Sequence, residues 1–343
     1  MLEIDGSYGE GGGQLVRLAV ALSAATGRPV VLRNVRAARR NPGLAPQHLA
    51  AVRAVASLAD AEVDGAALRS LALRFVPGAL RGGEYRFDVG TAGSITLVFQ
   101  ALLPVMVVAN RPVAIRVAGG SDVRQSPCTD YFVRVLLPLL ARMGIAPRLE
   151  IVRRGYYPLG GGELRLELDA AELQPLHLGK HGTVTSIEGC AHVANLPEHI
   201  AIRMRSGTLA PLAAVTDVAP EIAALVLDER RAHGAGGAIA VWARTTTTVL
   251  GAGRAAERGV RAEALGTAVG AELAADIATG ATVDLHAADQ LLVFLALAGG
   301  GSYLARAVTS HMRTAMWLIE KFLPVEFTVT PQTGLVRVEV ATR

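Results

Sequence analysis

Three stretches of the chain repeat one pattern of apolar and polar positions. Gly11 to Ser23 is a small-residue loop that runs into an apolar segment of helical length and leads to Gly27-Arg-Pro-Val-Val-Leu-Arg. Ala92 to Pro104 does the same and leads to Asn110-Arg-Pro-Val-Ala-Ile-Arg, and Ala288 to Ala298 leads to Gly301-Ser-Tyr-Leu-Ala-Arg-Ala. Gly or Asn can take the left-handed position that ends a helix, and the proline that follows cannot continue one. Each stretch therefore predicts a helix, a turn and a short strand. The second halves match as well. Pro46 to Ala61, Thr129 to Gly144 and Met312 to Leu323 carry apolar residues at helical spacing. Strand-like pairs follow them: Leu71 to Phe75 with Glu84 to Asp88, Arg148 to Val152 with Glu163 to Leu168, and Glu326 to Thr330 with Gly334 to Val340. The repeating unit reads as β-α-β-α-β-β, present three times.

Residues 181–278 break the repeat. They hold their own strand pattern (Ala238 to Arg244) and helix pattern (Ala262 to Ile277). The fold class expected is α/β (α+β): a large three-repeat domain from 1–180 and 279–343, with a smaller inserted α/β domain at 181–278.

Composition supports a packed protein. Hydrophobic residues make up 51% and charged residues 19%, which suits a sizeable core and argues against disorder. Aromatics are only 4%, too few for a surface paved with stacking rings. The longest apolar runs, such as Leu102 to Ala109, fall short of the roughly 20 residues that span a bilayer, so no membrane partner is expected. Cys128 and Cys190 stand alone, in no Cys-x-x-Cys or Cys/His cluster. Together with an N-terminus that has no basic, apolar leader pattern, this predicts a reducing, cytoplasmic location. The net charge of +4 is mildly basic and compatible with a phosphate-bearing partner.

Chemistry gathers in the loops. The loop before each unit's second helix recurs as Arg39-Arg-Asn-Pro-Gly, Gly120-Ser-Asp-Val-Arg-Gln-Ser-Pro and Thr309-Ser-His-Met-Arg. If the units are related, these loops occupy equivalent strand ends beside helix N-termini, where α/β folds bind anions. All three carry an arginine, and the third adds His311. A neutral imidazole is an effective nucleophile toward phosphorus near pH 7. A second loop, Gly9-Glu-Gly-Gly-Gly-Gln, lies between the strand-like Leu2 to Asp5 and a helix starting near Leu15. It matches neither the Walker A nor the dinucleotide glycine spacing. Its glycines let the backbone approach a phosphate, Glu10 could hold a hard divalent cation, and Arg17 lies about one helical turn past Gln14.

Taken in order, Gly9-Glu-Gly-Gly-Gly-Gln, Arg39-x-x-Pro-Gly-Leu-x-x-Gln-His, Gly90-Thr-Ala-Gly-Ser, Gly119-Gly-Ser-Asp, Tyr157-Pro-x-Gly-Gly-Gly, Ala288-Asp-Gln-Leu and Ser310-His-x-x-Thr resemble the RNA 3′-terminal phosphate cyclases. The resemblance covers all three repeats and is weakest in the insert. It implies an ATP-dependent enzyme that converts an RNA 3′-terminal phosphate to a 2′,3′-cyclic phosphate through a histidine–AMP intermediate and an RNA adenylate. It further implies His311 as the adenylated nucleophile and Glu10 as a ligand of Mg²⁺ or Mn²⁺. Arg17, Arg39 and Gln47 would engage the terminal phosphate, and Gln100, Pro127, Tyr131, Asp289 and Gln290 would line the adenylate pocket. His286 stands where the family places an aromatic against adenine, and Ala315 stands where the family continues with Asn; both departures predict slower adenylation or altered nucleotide preference. The partners implied are RNA 3′ ends bearing a terminal phosphate, with monomer and homodimer both open. A non-catalytic cyclase-like factor of RNA processing or ribosome assembly is the alternative, and it would lack the nucleophile. An enolpyruvyl-transferase-like enzyme would have more units and no histidine at this position.

Overall fold

The computed structural model describes residues 1–343. Its three repeated units share one strand order. In the first, Leu2–Asp5 runs parallel to Val30–Arg33, which pairs antiparallel with Leu73–Val76, and Glu62–Asp64 closes the far edge. In the second, Gly83–Asp88 runs parallel to Val113–Gly119, followed by antiparallel Gly162–Leu168 and then Arg148–Gly155. In the third, Leu176–His177 runs parallel to Gly300–Ala305, followed by antiparallel Leu335–Thr342 and then Val325–Gln332. First and second strands are parallel because a helix connects them; the last two form a hairpin.

The strand expected at Glu84 to Asp88 belongs elsewhere than its sequence position suggested. It opens the second unit instead of closing the first, and the strand that completes the first hairpin is Glu62–Asp64. Alternation reports which residues face the core, not which sheet a strand joins.

Helices pack on the sheets in pairs: Gly13–Thr26 with Pro46–Leu58, Ile95–Ala109 with the helical run from Thr129–Tyr131 to Leu137–Ala141, and Leu285–Leu297 with Ser310–Phe322. The first and third of these six helices end as their sequence patterns predict, at Gly27 (φ 69°) and Asn110 (φ 48°) in the left-handed region. Their apolar faces merge into one core that draws on all three units, with Leu22, Phe99, Leu140, Leu291 and Leu318 fully buried. Truncating any of these to alanine would cost about 2–5 kcal/mol.

Between Leu176–His177 and its helix, the chain builds a fourth sheet with the order Pro220–Leu227, Val184–Ala194, Gly236–Thr245, Val249–Ala255. Helices Glu198–Ala213 and Ala262–Thr279 cover it, and Ile187, Met204, Val241, Leu250, Val269 and Leu273 form a core separate from the large one. No helix is long and apolar enough to cross a membrane.

Candidate active site

The glycine turn and the third unit's second helix meet at one strand end. Gly9 has φ +60°, and a Cβ there would collide with Thr314 Oγ1, so only glycine lets the turn rest on that helix. A Cβ on Gly13 would likewise strike the His48 ring. His48 is structural: its Nδ1 accepts the Ala45 N–H at 3.1 Å, and burial pushes its pKa down to about 3, which keeps it neutral.

This close packing brings His311 to Glu10. The helix begins at Ser310, capped by the Thr309 hydroxyl, which accepts the Met312 N–H. His311 is thus held in the first turn, with its side chain about half exposed. Its Nε2 lies 3.2 Å from Glu10 Oε2, and its Nδ1 lies 2.7 Å from Gln14 Oε1. Ser310 donates its hydroxyl to Glu10 Oε1. Arg39 Nη2 donates to the Glu10 carbonyl at 2.8 Å and lies 3.6 Å from the Glu10 carboxylate. Desolvation lowers the His311 pKa from its ordinary value; Glu10 opposes this, and Arg17 and Arg39 reinforce it. The imidazole is therefore neutral near pH 7, with the Glu10 carboxylate beside its Nε2.

Behind this group lies a narrow cleft whose polar lining is Gln14, Arg17, Gln100, Asp289 and Gln290. Arg17 is buried, its Nε has no partner, and desolvation pulls its pKa down to about 10 despite the attraction of Asp289. An orphaned guanidinium N–H at the base of a cleft is a donor waiting for an anion. Burial raises Asp289 to about 7, and Gln14 Nε2 reaches its carboxylate at 3.4 Å. Gln100 donates to Gln290 Oε1 at 2.6 Å, so two of the expected pocket residues hold each other across the second and third units.

The other expected residues are held by partners of their own. Gln47 accepts the Ser94 N–H at 3.4 Å, joining the first unit to the turn before helix Ile95–Ala109. The Pro127 carbonyl accepts the Thr96 hydroxyl at 2.8 Å. Tyr131 is fully buried, donates its hydroxyl to Asp284 at 2.6 Å, and meets the His286 ring edge-on at 5.9 Å. His286 pairs with Glu272 at 2.9 Å, which raises its pKa to about 9. It is a cation at neutral pH, in the place where the family has an aromatic against adenine.

Sequence reasoning missed three contributors. Gln14, read only as the end of the glycine turn, bridges His311 and Asp289. Ser310, next to the histidine, anchors Glu10. Asp284 caps helix Leu285–Leu297 by accepting the His286 and Ala287 N–H groups, and also accepts from Tyr131 and the Gly251 N–H. An Asp before an apolar helical run is a legible N-cap signal; its distant donors are not. Asp122, Asp130 and His192 form a second acidic group, but Arg154 fills it with donations at 3.0 and 2.7 Å to the two carboxylates.

Fold and site together define a three-unit α/β protein with an imidazole, a carboxylate and guanidinium groups converging beside a polar cleft. The description RNA 3′-terminal phosphate cyclase matches residues 8–329. Proteins of that name are similar over nearly the whole chain: that of Nitrosospira multiformis is 49% identical, covering 98% of this chain and 96% of its own. Those of Methanopyrus kandleri and Pyrococcus furiosus are 41% and 42% identical, each covering 97% of this chain and 96% of their own. The chain belongs to the RNA 3′-terminal phosphate cyclase family. It is accordingly an enzyme of the ligase type acting in RNA processing.

Proposed function

We propose that the protein converts RNA 3′-terminal phosphates to 2′,3′-cyclic phosphates at the expense of ATP, by way of AMP carried on His311. The observation that carries this reading is the imidazole held between Glu10 at 3.2 Å and Gln14 at 2.7 Å. With Nδ1–H donated to the Gln14 carbonyl, the Nε2 lone pair is the one free to attack. If Nε2 is protonated, Glu10 is the nearest base to remove that proton. The attack forms the N–P bond to the α-phosphorus of ATP and expels pyrophosphate. A terminal phosphate oxygen of the RNA then attacks the same phosphorus, freeing the imidazole. The ribose 2′-hydroxyl attacks the activated 3′-phosphate, closing the ring and releasing AMP, with its proton leaving to a nearby base.

Charge builds on phosphoryl oxygens at each step. The unpartnered Nε of Arg17 and the Arg39 guanidinium suit that charge. Gln47 would support the loop that receives the terminal phosphate. Gln100, Pro127, Tyr131, His286, Asp289 and Gln290 would line the adenylate pocket, with the His286 cation favouring an electron-rich ring or an anion over simple stacking. The donor set fits Mg²⁺ or Mn²⁺, since Glu10 offers one hard carboxylate and such ions take their remaining ligands from phosphate and water. When bound, the ion would neutralise phosphate charge. We propose also that 181–278 is a distinct smaller domain carried by the catalytic 1–180 and 279–343.

An RNA labelled at its 3′-phosphate tests the reading. With ATP and metal, the label should become resistant to phosphatase and AMP should form in equal amount. Persistent phosphatase sensitivity would remove the proposal.

A further inference from the structure

The glycine turn carries an aromatic that the catalytic cluster does not use. Tyr8, two residues before Glu10, is 42% exposed and stacks on Trp317 with ring centroids 3.8 Å apart and planes 16° from parallel. Trp317 stands on the helix that begins with Ser310 and His311. Arg313, Trp317 and Lys321 follow one another at four-residue spacing and share one helix face. Lys321 Nζ lies 5.8 Å from the centre of the Trp317 ring, and Arg313 is exposed beside it. Aromatics are scarce in this chain, so a parallel pair left partly open to solvent, flanked by cations and carried on the same turn as Glu10 and the same helix as His311, calls for a ligand.

We propose that the Tyr8 ring, backed by Trp317, is a stacking platform for the nucleobase of the RNA's terminal nucleoside. The inference rests on the RNA-end reading above and adds where the base goes. Two residues span at most roughly 7 Å, so the backbone of Tyr8 lies close to that of Glu10. A terminal phosphate held by Arg39, which donates to the Glu10 carbonyl, leaves its own nucleoside within reach of the ring. Base–aromatic stacking tolerates any base because every base presents a π-face, and Arg313 and Lys321 would meet the adjoining backbone phosphates. Trp317 packs flat against one face of the Tyr8 ring, and Gly9 lets the turn that carries it rest on Thr314 of the same helix.

The test compares 3′-phosphorylated RNAs with and without a terminal base (an abasic end) on the wild type, Tyr8→Phe and Tyr8→Ala. The expected result is that the wild-type KM for RNA rises about tenfold when the base is removed, the loss typical of one stacked base. Tyr8→Phe should keep that dependence. Tyr8→Ala should show the raised KM on ordinary RNA and become indifferent to base removal. A wild type that ignores base removal overturns the inference without needing any variant. So does a Tyr8→Ala protein that still distinguishes the two RNAs, or one whose KM rises for ATP instead. If the wild type cyclises no RNA at all, the failure belongs to the proposed function and not to the platform.

Discussion

Asp284 gives the most quantitative handle on how the site is assembled. It is fully buried and accepts four donors from three parts of the chain: the Tyr131 hydroxyl at 2.6 Å, the Gly251 N–H at 3.0 Å, and the His286 and Ala287 N–H groups at 3.0 and 2.9 Å. Asp284→Ala removes a helix N-cap worth about 1 kcal/mol. It also leaves a buried hydroxyl and a buried amide without an acceptor, at about 1–3 kcal/mol each. Burial raises the Asp284 pKa, so relief from desolvation returns part of that cost. The net loss expected is about 4 kcal/mol, read as a shift of the urea midpoint. Tyr131→Phe alone should cost about 1 kcal/mol. The double variant should be more stable than the two single losses imply by roughly 1–2 kcal/mol, because the unsatisfied hydroxyl is then gone. Helix Leu285–Leu297 carries Asp289 and Gln290, so adenylation should also slow. A loss under about 1 kcal/mol for Asp284→Ala, or strict additivity, would refute the reasoning.

Three further outcomes follow from the geometry. Desolvation lowers the His311 pKa, and the neutral ring is the nucleophile, so the rate of self-adenylation should be flat near neutral pH and fall as pH drops through a value below 6.5; a midpoint above 6.5 in the rate profile would contradict this. Gly9→Ala places a Cβ against Thr314 Oγ1 at φ +60°, so it should cost about 1–3 kcal/mol in thermal unfolding, partly recovered when Thr314→Ala opens the space, whereas no recovery would speak against the contact. Arg154→Ala strands Asp122 and Asp130 in a buried network and should destabilise by about 3–5 kcal/mol, measured by denaturant unfolding, while a loss below 1 kcal/mol would mean that the pair is solvated.

Much of this protein could be read along the chain because local chemistry marks its elements. Gly27 and Asn110 end helices where their left-handed conformations require, and the repeat aligned the Arg39 loop with the His311 loop before any contact was visible. Glu62–Asp64 escaped notice because a three-residue strand with one apolar residue has no period to detect. Gly83–Asp88 was attached to the wrong unit, since pairing partners lie outside any local window. The same limit applies to the site. The grouping of Glu10 with His311 followed from the family resemblance, but the roles of Gln14 and Asp284 depend on partners 297 and 153 residues away. The charge on His286 is not legible along the chain because Glu272, which raises its pKa, belongs to a different helix.

Intact-protein mass spectrometry after incubation with ATP and Mg²⁺, without RNA, tests the central claim most directly. The wild type should gain the mass of one AMP, labile to acid as a phosphoramidate, and His311→Ala should gain none. An unmodified wild type, or an adduct that survives in His311→Ala, would contradict the account.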